Sequence, residues 1–148
     1  MPIQYDIQKI IIVIKSTVVP GTLEFKIKPI FKNLKNIFIA NNPEFLREGS
    51  AIKDFLEPDR IIIGSNEKYA LQYLKKVYSK FNSKIIFVSS TEAELCKYFS
   101  NIILSNLIAF SNEFSDVCEK FDDVNYLKIL ESFMYDRRFR IKKNKQII

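Results

Sequence analysis

Apolar residues occur along the first ninety positions in short runs that alternate with helical stripes. Apolar, β-branched runs predict four strands, at residues 8–15, 36–40, 60–64 and 84–88. Helical spacing predicts helices between them, at residues 22–33, 50–56 and 66–80, and Pro29 should kink or shorten the first. Strands that alternate with helices predict an α/β fold with a mostly parallel sheet. The first run is apolar on both faces, so we expect that strand to be covered on both sides.

The pattern changes near residue 90. Ser89 and Glu92 have the spacing of a capping box, and so do Thr91 and Glu94. Apolar residues then recur at steps of three or four, which predicts two helices, one at about residues 91–120 and one at about 123–134. The apolar stripe of the longer helix is wide, so we expect that helix to be buried or to pack against a partner.

The composition excludes several kinds of chemistry. The 148 residues can bury a core, and 47% apolar with 27% charged residues is ordinary for a globular protein. Histidine is absent, which excludes Ser-His-Asp and Cys-His catalysis and zinc sites with histidine ligands. We predict no metal site. Two cysteines and the lack of a recognisable secretory leader predict a cytoplasmic protein.

The formal net charge of +6 comes from the C-terminal end of the chain. Residues 137–148 contain six basic residues and no acidic one, and the rest of the chain is balanced. A terminal block of like charges is usually a solvated tail, whereas nucleic-acid-binding proteins usually spread basic residues over a folded face or a helix. Nucleic-acid binding through this tail is therefore the lowest-ranked function.

Two pairs of polar residues follow predicted strands. Ser16 and Thr17 lie at the carboxyl end of the first strand, where open α/β sheets bind ligands, although such hydroxyls often bond only their own backbone. Glu44 and Glu48 lie in the loop after the second strand, where Glu44 could act as a base and Glu48 could accept hydrogen bonds from ligand hydroxyls. The alternative is a solvated loop with an ion pair between Arg47 and Glu48.

A third pair lies on the long helix. Lys97 and Asn101 are one turn apart on one face, and an ammonium beside a carboxamide can bind an oxyanion. The alternative is a lysine whose head reaches water from a partly buried helix. Cys96 and Cys118 are poor nucleophiles, because both lie within the helix among apolar neighbours. The glycine-rich phosphate-binding motifs are absent.

Three motifs together resemble the UDP-glucose 6-dehydrogenases of the UDP-glucose/GDP-mannose dehydrogenase family. They are, in chain order, IVIKSTVVPGT at residues 12–22, NPEFLREG followed by PDRIIIG within residues 42–64, and TEAELCKYFSN followed by FSNEF within residues 91–114. The resemblance implies the C-terminal half of a Rossmann-like sheet, followed by a long dimerisation helix. It divides the chain into a partial NAD-binding domain at residues 1–89, a central helical dimerisation domain at 90–136 and a basic tail at 137–148.

The resemblance implies a four-electron oxidation of a nucleotide sugar by NAD, through an aldehyde and a cysteine thioester to the acid. Ser16 would contact the nicotinamide cofactor, and Glu48 would line the site near it. Thr17 would help bind the catalytic water, and Glu44 would assist that water and thioester hydrolysis. Lys97 would stabilise the oxyanion at C6, with Asn101 beside it.

The same resemblance implies where the sugar nucleotide binds. Arg138 matches an arginine that reaches the sugar nucleotide of a neighbouring subunit, in a homodimer formed through the long helix. The implied substrate-binding residues are Glu44, Phe45, Leu46, Arg47, Glu48, Lys97, Asn101 and Arg138. The Phe-Leu-Arg-Glu segment favours UDP-glucose over GDP-mannose or N-acetylated sugars as the substrate.

The chain also departs from the family pattern. The dinucleotide fingerprint G-x-G-x-x-G is absent, and no cysteine follows Cys118, where the family has its catalytic cysteine on a glycine-rich loop. The resemblance thus implies an internal fragment of an enzyme that oxidises UDP-glucose to UDP-glucuronate with two NAD. We expect the chain alone to be inactive and to lack most of its NAD affinity. The alternatives are a non-catalytic dimerisation or assembly module and, last, the nucleic-acid binder.

Overall fold

The computed structural model describes residues 9–136 and residue 138. Within them, four strands form one sheet in the order β1-β2-β3-β4. The strands are β1 (Ile10–Ile14), β2 (Ile37–Asn41), β3 (Arg60–Gly64) and β4 (Lys84–Val88). The pairs β1–β2 and β3–β4 are parallel, and β2 pairs with β3 in antiparallel orientation at one position. The predicted α/β fold with a mostly parallel sheet is confirmed, and the antiparallel junction was not predicted.

Four α-helices lie in the described part of the chain. They are α1 (Ala51–Leu56), α2 (Lys68–Val77), α3 (Ser90–Cys118) and α4 (Tyr126–Met134). Residues 22–33 differ from the predicted helix, since a π-helical turn at Leu23–Ile27 is followed by a 3₁₀ turn at Lys28–Phe31. Pro29 explains the change of winding, because its nitrogen donates no hydrogen bond and its ring crowds the preceding turn.

A small apolar core lies between the centre of the sheet and α2. It consists of Ala40, Ile61, Ile63, Ala70 and Leu74, each at most 5% exposed. The two α2 members are four residues apart, so they lie on one face of the helix. β1 is less covered than its sequence suggests, with Ile10 47% exposed. The other four residues of β1 are only partly buried, so the prediction of a strand covered on both sides is wrong for β1.

Gly64 permits close packing of the first turn of α3 on the end of β3. A Cβ atom at this position would lie 2.3 Å from the Cβ of Ala93 and 2.7 Å from the carbonyl oxygen of Ser89. Both distances are shorter than van der Waals contact, so a side chain here would displace the helix. The glycine thus positions the part of α3 that carries Lys97.

The chain divides into two compact units, one up to Ile102 and one from Ile103. In the second unit, the rings of Phe110 and Phe114 stack at 6.0 Å, and the hydroxyls of Ser111 and Tyr126 are hydrogen-bonded. Asn125 caps α4 by accepting a hydrogen bond of 2.9 Å from the Leu127 amide. None of the described helices is sufficiently long and apolar to cross a membrane.

Candidate active site

The loops that follow β1 and β2 are joined by one carboxamide. Asn42, 3% exposed, accepts hydrogen bonds at Oδ1 from the Lys15 ammonium at 2.8 Å and from the Tyr78 hydroxyl. Its Nδ2 donates to the Ile62 carbonyl at 2.7 Å. Burial lowers the pKa of Lys15, while the nearby carboxylate of Glu44 opposes that shift. Burial also raises the pKa of Tyr78. These bonds fix the start of the loop that carries Glu44.

Phe45 contacts the two cations of the site. The Lys97 ammonium lies 5.2 Å from the centre of the Phe45 ring, and the Arg60 guanidinium carbon lies 4.2 Å from it. Arg60 also donates a hydrogen bond of 3.1 Å to the Ser100 hydroxyl on α3. The structure therefore brings together Phe45 and Lys97, two predicted site residues from separate motifs. It adds Arg60, which the sequence analysis missed.

Arg47 is fixed by a buried carboxylate. Asp54, 7% exposed, accepts hydrogen bonds at Oδ2 from the Arg47 amide at 2.8 Å and from the Ser50 hydroxyl at 3.0 Å, and it forms an ion pair with the Arg47 guanidinium. Chiefly through the guanidinium, Arg47 holds the pKa of Asp54 well below its usual range. The alternative of an ion pair between Arg47 and Glu48 is therefore wrong. The Arg47 side chain pairs with Asp54 of α1 instead.

Glu94 fixes the loop after β1. Its side chain is 1% exposed and accepts hydrogen bonds from the amides of Gly21 and Leu23, the latter at 3.0 Å. The predicted capping box between Thr91 and Glu94 is therefore wrong, because the carboxylate binds a different segment of the chain. Glu94 thus links the helix that carries Lys97 to the loop that begins at Ser16.

The other capping box is present. The Ser89 amide donates to Glu92 at 2.7 Å, and the Glu92 amide donates to the Ser89 hydroxyl at 3.3 Å. These reciprocal bonds satisfy amides that have no partner within the first turn of a helix. The helix begins at Ser90, one residue before the predicted start.

Five predicted polar site residues have side chains without hydrogen bonds in the described part of the chain. Ser16, Thr17, Glu44, Glu48 and Asn101 are all exposed, and none of their side chains forms a hydrogen bond within the described part of the chain. Glu44 lies close enough to Lys15 to influence its charge. The structure leaves the donors and acceptors of these five side chains available to a ligand.

Leu46, in the loop that carries Glu44, lies beside a small cavity. Leu46 is 37% exposed, and it lines a cavity of about 60 Å³ together with Glu44, Phe45, Arg60 and Tyr78. A cavity of that volume holds about two water molecules, whereas a site for a small-molecule ligand occupies roughly 300 Å³ or more. The cavity is therefore too small to enclose a small-molecule ligand by itself.

Arg138 lies in the second unit, where it pairs with Asp136. Its Nε is 2.9 Å from Oδ2 of Asp136, and its side chain is 83% exposed. Hydrogen bonding from Arg138 lowers the pKa of Asp136, and the same contact raises the pKa of Arg138. Most of the predicted basic tail, residue 137 and residues 139–148, lies outside the described residues.

One position in the described part of the chain suits a ligand of an open α/β sheet. Ser16 is exposed just beyond the carboxyl end of β1, the position at which open α/β sheets bind ligands. A pyrophosphate site instead needs a glycine-rich turn at a helix N-terminus. Gly21 and Gly49 adopt positive φ in loops, and Gly64 is required for the packing of α3 on β3. The three glycines of the chain therefore do not form the glycine-rich turn that the pyrophosphate of a dinucleotide needs.

Two family descriptions match almost the whole chain. Residues 3–82 match the NAD binding domain of the UDP-glucose/GDP-mannose dehydrogenase family, and residues 91–146 match the central domain of that family. The UDP-glucose 6-dehydrogenase of Rickettsia conorii is 47% identical over 111 residues, which are 74% of this chain and 26% of that protein. That of Pseudomonas aeruginosa is 39% identical over 121 residues, which are 75% of this chain and 26% of that protein.

Solved structures of the family have the same fold. A UDP-glucose dehydrogenase from Pyrobaculum islandicum superposes with a TM-score of 0.81 at 37% identity, over 86% of this chain and 30% of that chain. A GDP-mannose dehydrogenase from Pseudomonas aeruginosa, solved as a ternary complex, superposes with a TM-score of 0.80 at 28% identity. The superposition covers 85% of this chain and 30% of that chain. The chain spans about a quarter of the length of the curated relatives above. On these matches, the chain belongs to the UDP-glucose/GDP-mannose dehydrogenase family.

Proposed function

We propose that this chain is part of a UDP-glucose 6-dehydrogenase, which oxidises UDP-glucose to UDP-glucuronate with two NAD. The observation that supports this most directly is the contact of Lys97 with Phe45, since it joins two motifs that are far apart in sequence. The names of the relatives from Rickettsia conorii and Pyrobaculum islandicum favour UDP-glucose as the substrate.

Lys97 stabilises negative charge at C6 of the sugar in this proposal. The residue is partly buried, and the one described contact of its ammonium group is with the ring of Phe45. Its hydrogen-bond donors are therefore available to an oxyanion, whose charge is stabilised more strongly in a partly dry site than in water. Asn101 lies one turn further along α3 and offers a carboxamide to the same ligand.

Glu44 and Thr17 bind and activate the water that hydrolyses the thioester. Glu44 is exposed in the loop fixed by Asn42, and Lys15 lies close to it. A carboxylate in that position accepts a proton from water, and the Thr17 hydroxyl orients the same water. Phe45, Leu46 and Arg47 contact the substrate along the loop.

NAD, when bound, would supply the hydride acceptor for the oxidation at C6. Ser16 would contact its nicotinamide end, and Glu48 would line the site beside it. The chain's own glycines do not form a pyrophosphate site, so in this proposal a complementing polypeptide binds the rest of the cofactor. We expect the isolated chain to have little affinity for NAD.

The 148-residue chain alone does not complete the oxidation in this proposal. The reaction requires covalent capture of the aldehyde by a thiolate. Cys96 and Cys118 both lie in α3, and Cys118 is 6% exposed. Cys118 therefore lacks the exposure of a reactive thiol, and Cys96 lies inside the helix beyond the first turn, away from the helix N-terminus.

The proposal is tested by reconstitution. The chain is mixed with two polypeptides of the Rickettsia conorii relative, namely the segments that precede and follow its matching region. That relative, divided at the same two positions, serves as the positive control. With UDP-glucose and NAD, we expect NADH from the mixture and none from the chain alone. The proposal is wrong if the control forms NADH and the mixture does not, or if the chain alone forms it.

A second candidate function is self-association as a dimerisation or assembly module. Apolar side chains on α3 and α4 are widely exposed, including Leu107 at 58%, Ile108 at 62% and Leu127 at 69%. Contiguous apolar surface of this kind marks protein–protein interfaces. Sedimentation equilibrium over a hundredfold range of concentration should show a dimer, and a constant monomer mass throughout would exclude this function.

A further inference from the structure

Arg60 lies where three elements of the candidate site meet. It is the first residue of β3, its guanidinium is 4.2 Å from the centre of the Phe45 ring, and it donates a 3.1 Å hydrogen bond to Ser100 on α3. Lys97 lies 5.2 Å from the centre of the same ring. Arg60 therefore contacts both the ring beside Lys97 and the helix on which Lys97 is carried.

The backbone explains how Arg60 reaches Phe45. The antiparallel pairing of β2 with β3 places Asn41 opposite Gly64. Beyond that pair, Asn42 donates its Nδ2 to the Ile62 carbonyl of β3, and Phe45 contacts the Arg60 guanidinium. The loop after β2 therefore follows the edge of β3 as far as the aromatic residue.

The chemistry of the contact requires an arginine. A guanidinium is planar, stacks on an aromatic ring and donates hydrogen bonds in a fixed geometry, whereas an ammonium is a compact, strongly hydrated charge. The Arg60 guanidinium lies over the Phe45 ring and also donates a hydrogen bond to Ser100, and a lysine could not make both contacts with the same geometry. Ser100 lies three residues after Lys97, on the same face of α3.

We propose that Arg60 is a positioning residue for Lys97: it fixes the Phe45 ring and the α3 turn between which the Lys97 ammonium is placed. The effect of this positioning on catalysis rests on the proposed function, because that function assigns stabilisation of the oxyanion to Lys97. The placement of Lys97 itself does not depend on any substrate. The two parts can therefore be tested separately.

The placement is tested by NMR on the free 148-residue chain. The ring current of Phe45 shifts the signals of the Lys97 ε-methylene, so this shift reports the distance between the two side chains. We expect Arg60→Gln and Arg60→Lys to reduce the shift by at least half. The control Lys53→Gln, an exposed cation on α1, should leave it unchanged.

Ser100→Ala keeps the stacking and removes only the hydrogen bond to α3, so it should give a smaller reduction. If Arg60→Gln does not fold, Arg60→Lys and Ser100→Ala decide the result. A reduced shift in those two variants supports the placement. An unchanged Lys97 shift in every folded Arg60 variant overturns the proposal.

The consequence for catalysis is measured in the reconstituted mixture. Displacing a catalytic group by about 1 Å can reduce a rate by roughly a hundredfold. We expect Arg60→Gln to lower kcat at least tenfold with little change in KM, and Arg60→Lys not to restore it. An unchanged kcat overturns the catalytic part of the inference. If the wild-type mixture is inactive while the control is active, the proposed function fails, and the NMR shift still decides the placement.

Discussion

The two units of the chain differ in what their side chains bury and expose. Up to Ile102, carboxylates and carboxamides are buried and hydrogen-bonded, such as Glu94 at 1%, Asp54 at 7% and Asn42 at 3% exposure. From Ile103 onward, large apolar side chains are exposed, such as Leu107 at 58% and Ile108 at 62%. Buried polar groups are costly unless they are paired, and an exposed apolar surface is unfavourable unless a partner covers it. The first unit therefore has interactions that fix its loops, and the second has a surface suited to association.

The largest expected effect is at Glu94. Glu94→Ala leaves the buried amides of Gly21 and Leu23 without a partner, and each unsatisfied group costs about 1–3 kcal/mol. We expect the free energy of unfolding to fall by about 3 kcal/mol in urea denaturation. The control Glu113→Ala removes an exposed carboxylate from α3 and should change stability by about 0.5 kcal/mol or less. Equal losses in the two variants would contradict the role given to Glu94.

The second prediction concerns the exposed apolar surface. Leu107→Asp places a charge on that surface, and we expect it to weaken self-association at least tenfold, or by about 1.4 kcal/mol. Ile52→Asp is a matched control, because Ile52 is 80% exposed on α1 in the first unit. Sedimentation velocity would compare the two variants with the wild type. If both weaken association equally, the second unit is not the interface.

The third prediction is a dependence of stability on pH. The pKa of Asp54 lies below its usual value in the folded chain because of Arg47, so this interaction stabilises the fold above the usual pKa of about 3.9. The stabilisation is lost as the pH falls from there through the folded pKa. We expect Asp54→Asn to remove this part of the acid dependence in unfolding curves between pH 6 and pH 2.

Asp116→Asn changes an exposed carboxylate in the second unit and serves as the control. Its acid dependence should follow that of the wild type. If the stability of Asp54→Asn depends on pH as strongly as that of the wild type, the ion pair with Arg47 is not the source of that dependence.

The smallest expected effect is on Lys15. Burial lowers the pKa of Lys15 and the charge of Glu44 raises it, so Glu44→Gln should lower the pKa further. The ε-signals of Lys15 can be titrated by NMR at alkaline pH. Glu48→Gln, in the same loop, is the control and should leave that pKa unchanged. A larger change from Glu48→Gln than from Glu44→Gln would mean that the loop is placed differently.

Much of the sheet could be predicted from local patterns. The third and fourth strands were predicted residue for residue, since their apolar, β-branched runs are bounded by polar or turn residues. The antiparallel pairing of β2 with β3 was missed, because it depends on the path of the loop after Asn41. The exposure of β1 was missed because the sequence of a strand does not show which elements pack on the two faces of the sheet there.

The site residues that lie within the family motifs could be predicted from the sequence. Lys97 and Phe45 come from separate motifs of the family, and the structure places them in contact. Arg60 and Glu94 were missed because their partners are distant in sequence, 40 residues away for Ser100 and 73 for Gly21. Glu94 was also misleading, because its spacing from Thr91 is that of a local capping box. No local pattern distinguishes that cap from a contact with a remote loop.

The central claim is that Lys97 belongs to the active site of a UDP-glucose 6-dehydrogenase. The most direct test is the initial rate of NADH formation by the reconstituted mixture with the wild-type chain and with Lys97→Met. Lys84→Met, a change at an exposed lysine in the same unit, is the control. We predict a loss of at least a hundredfold in kcat for Lys97→Met and an unchanged rate for the control. A Lys97→Met mixture as active as the wild type would contradict the account.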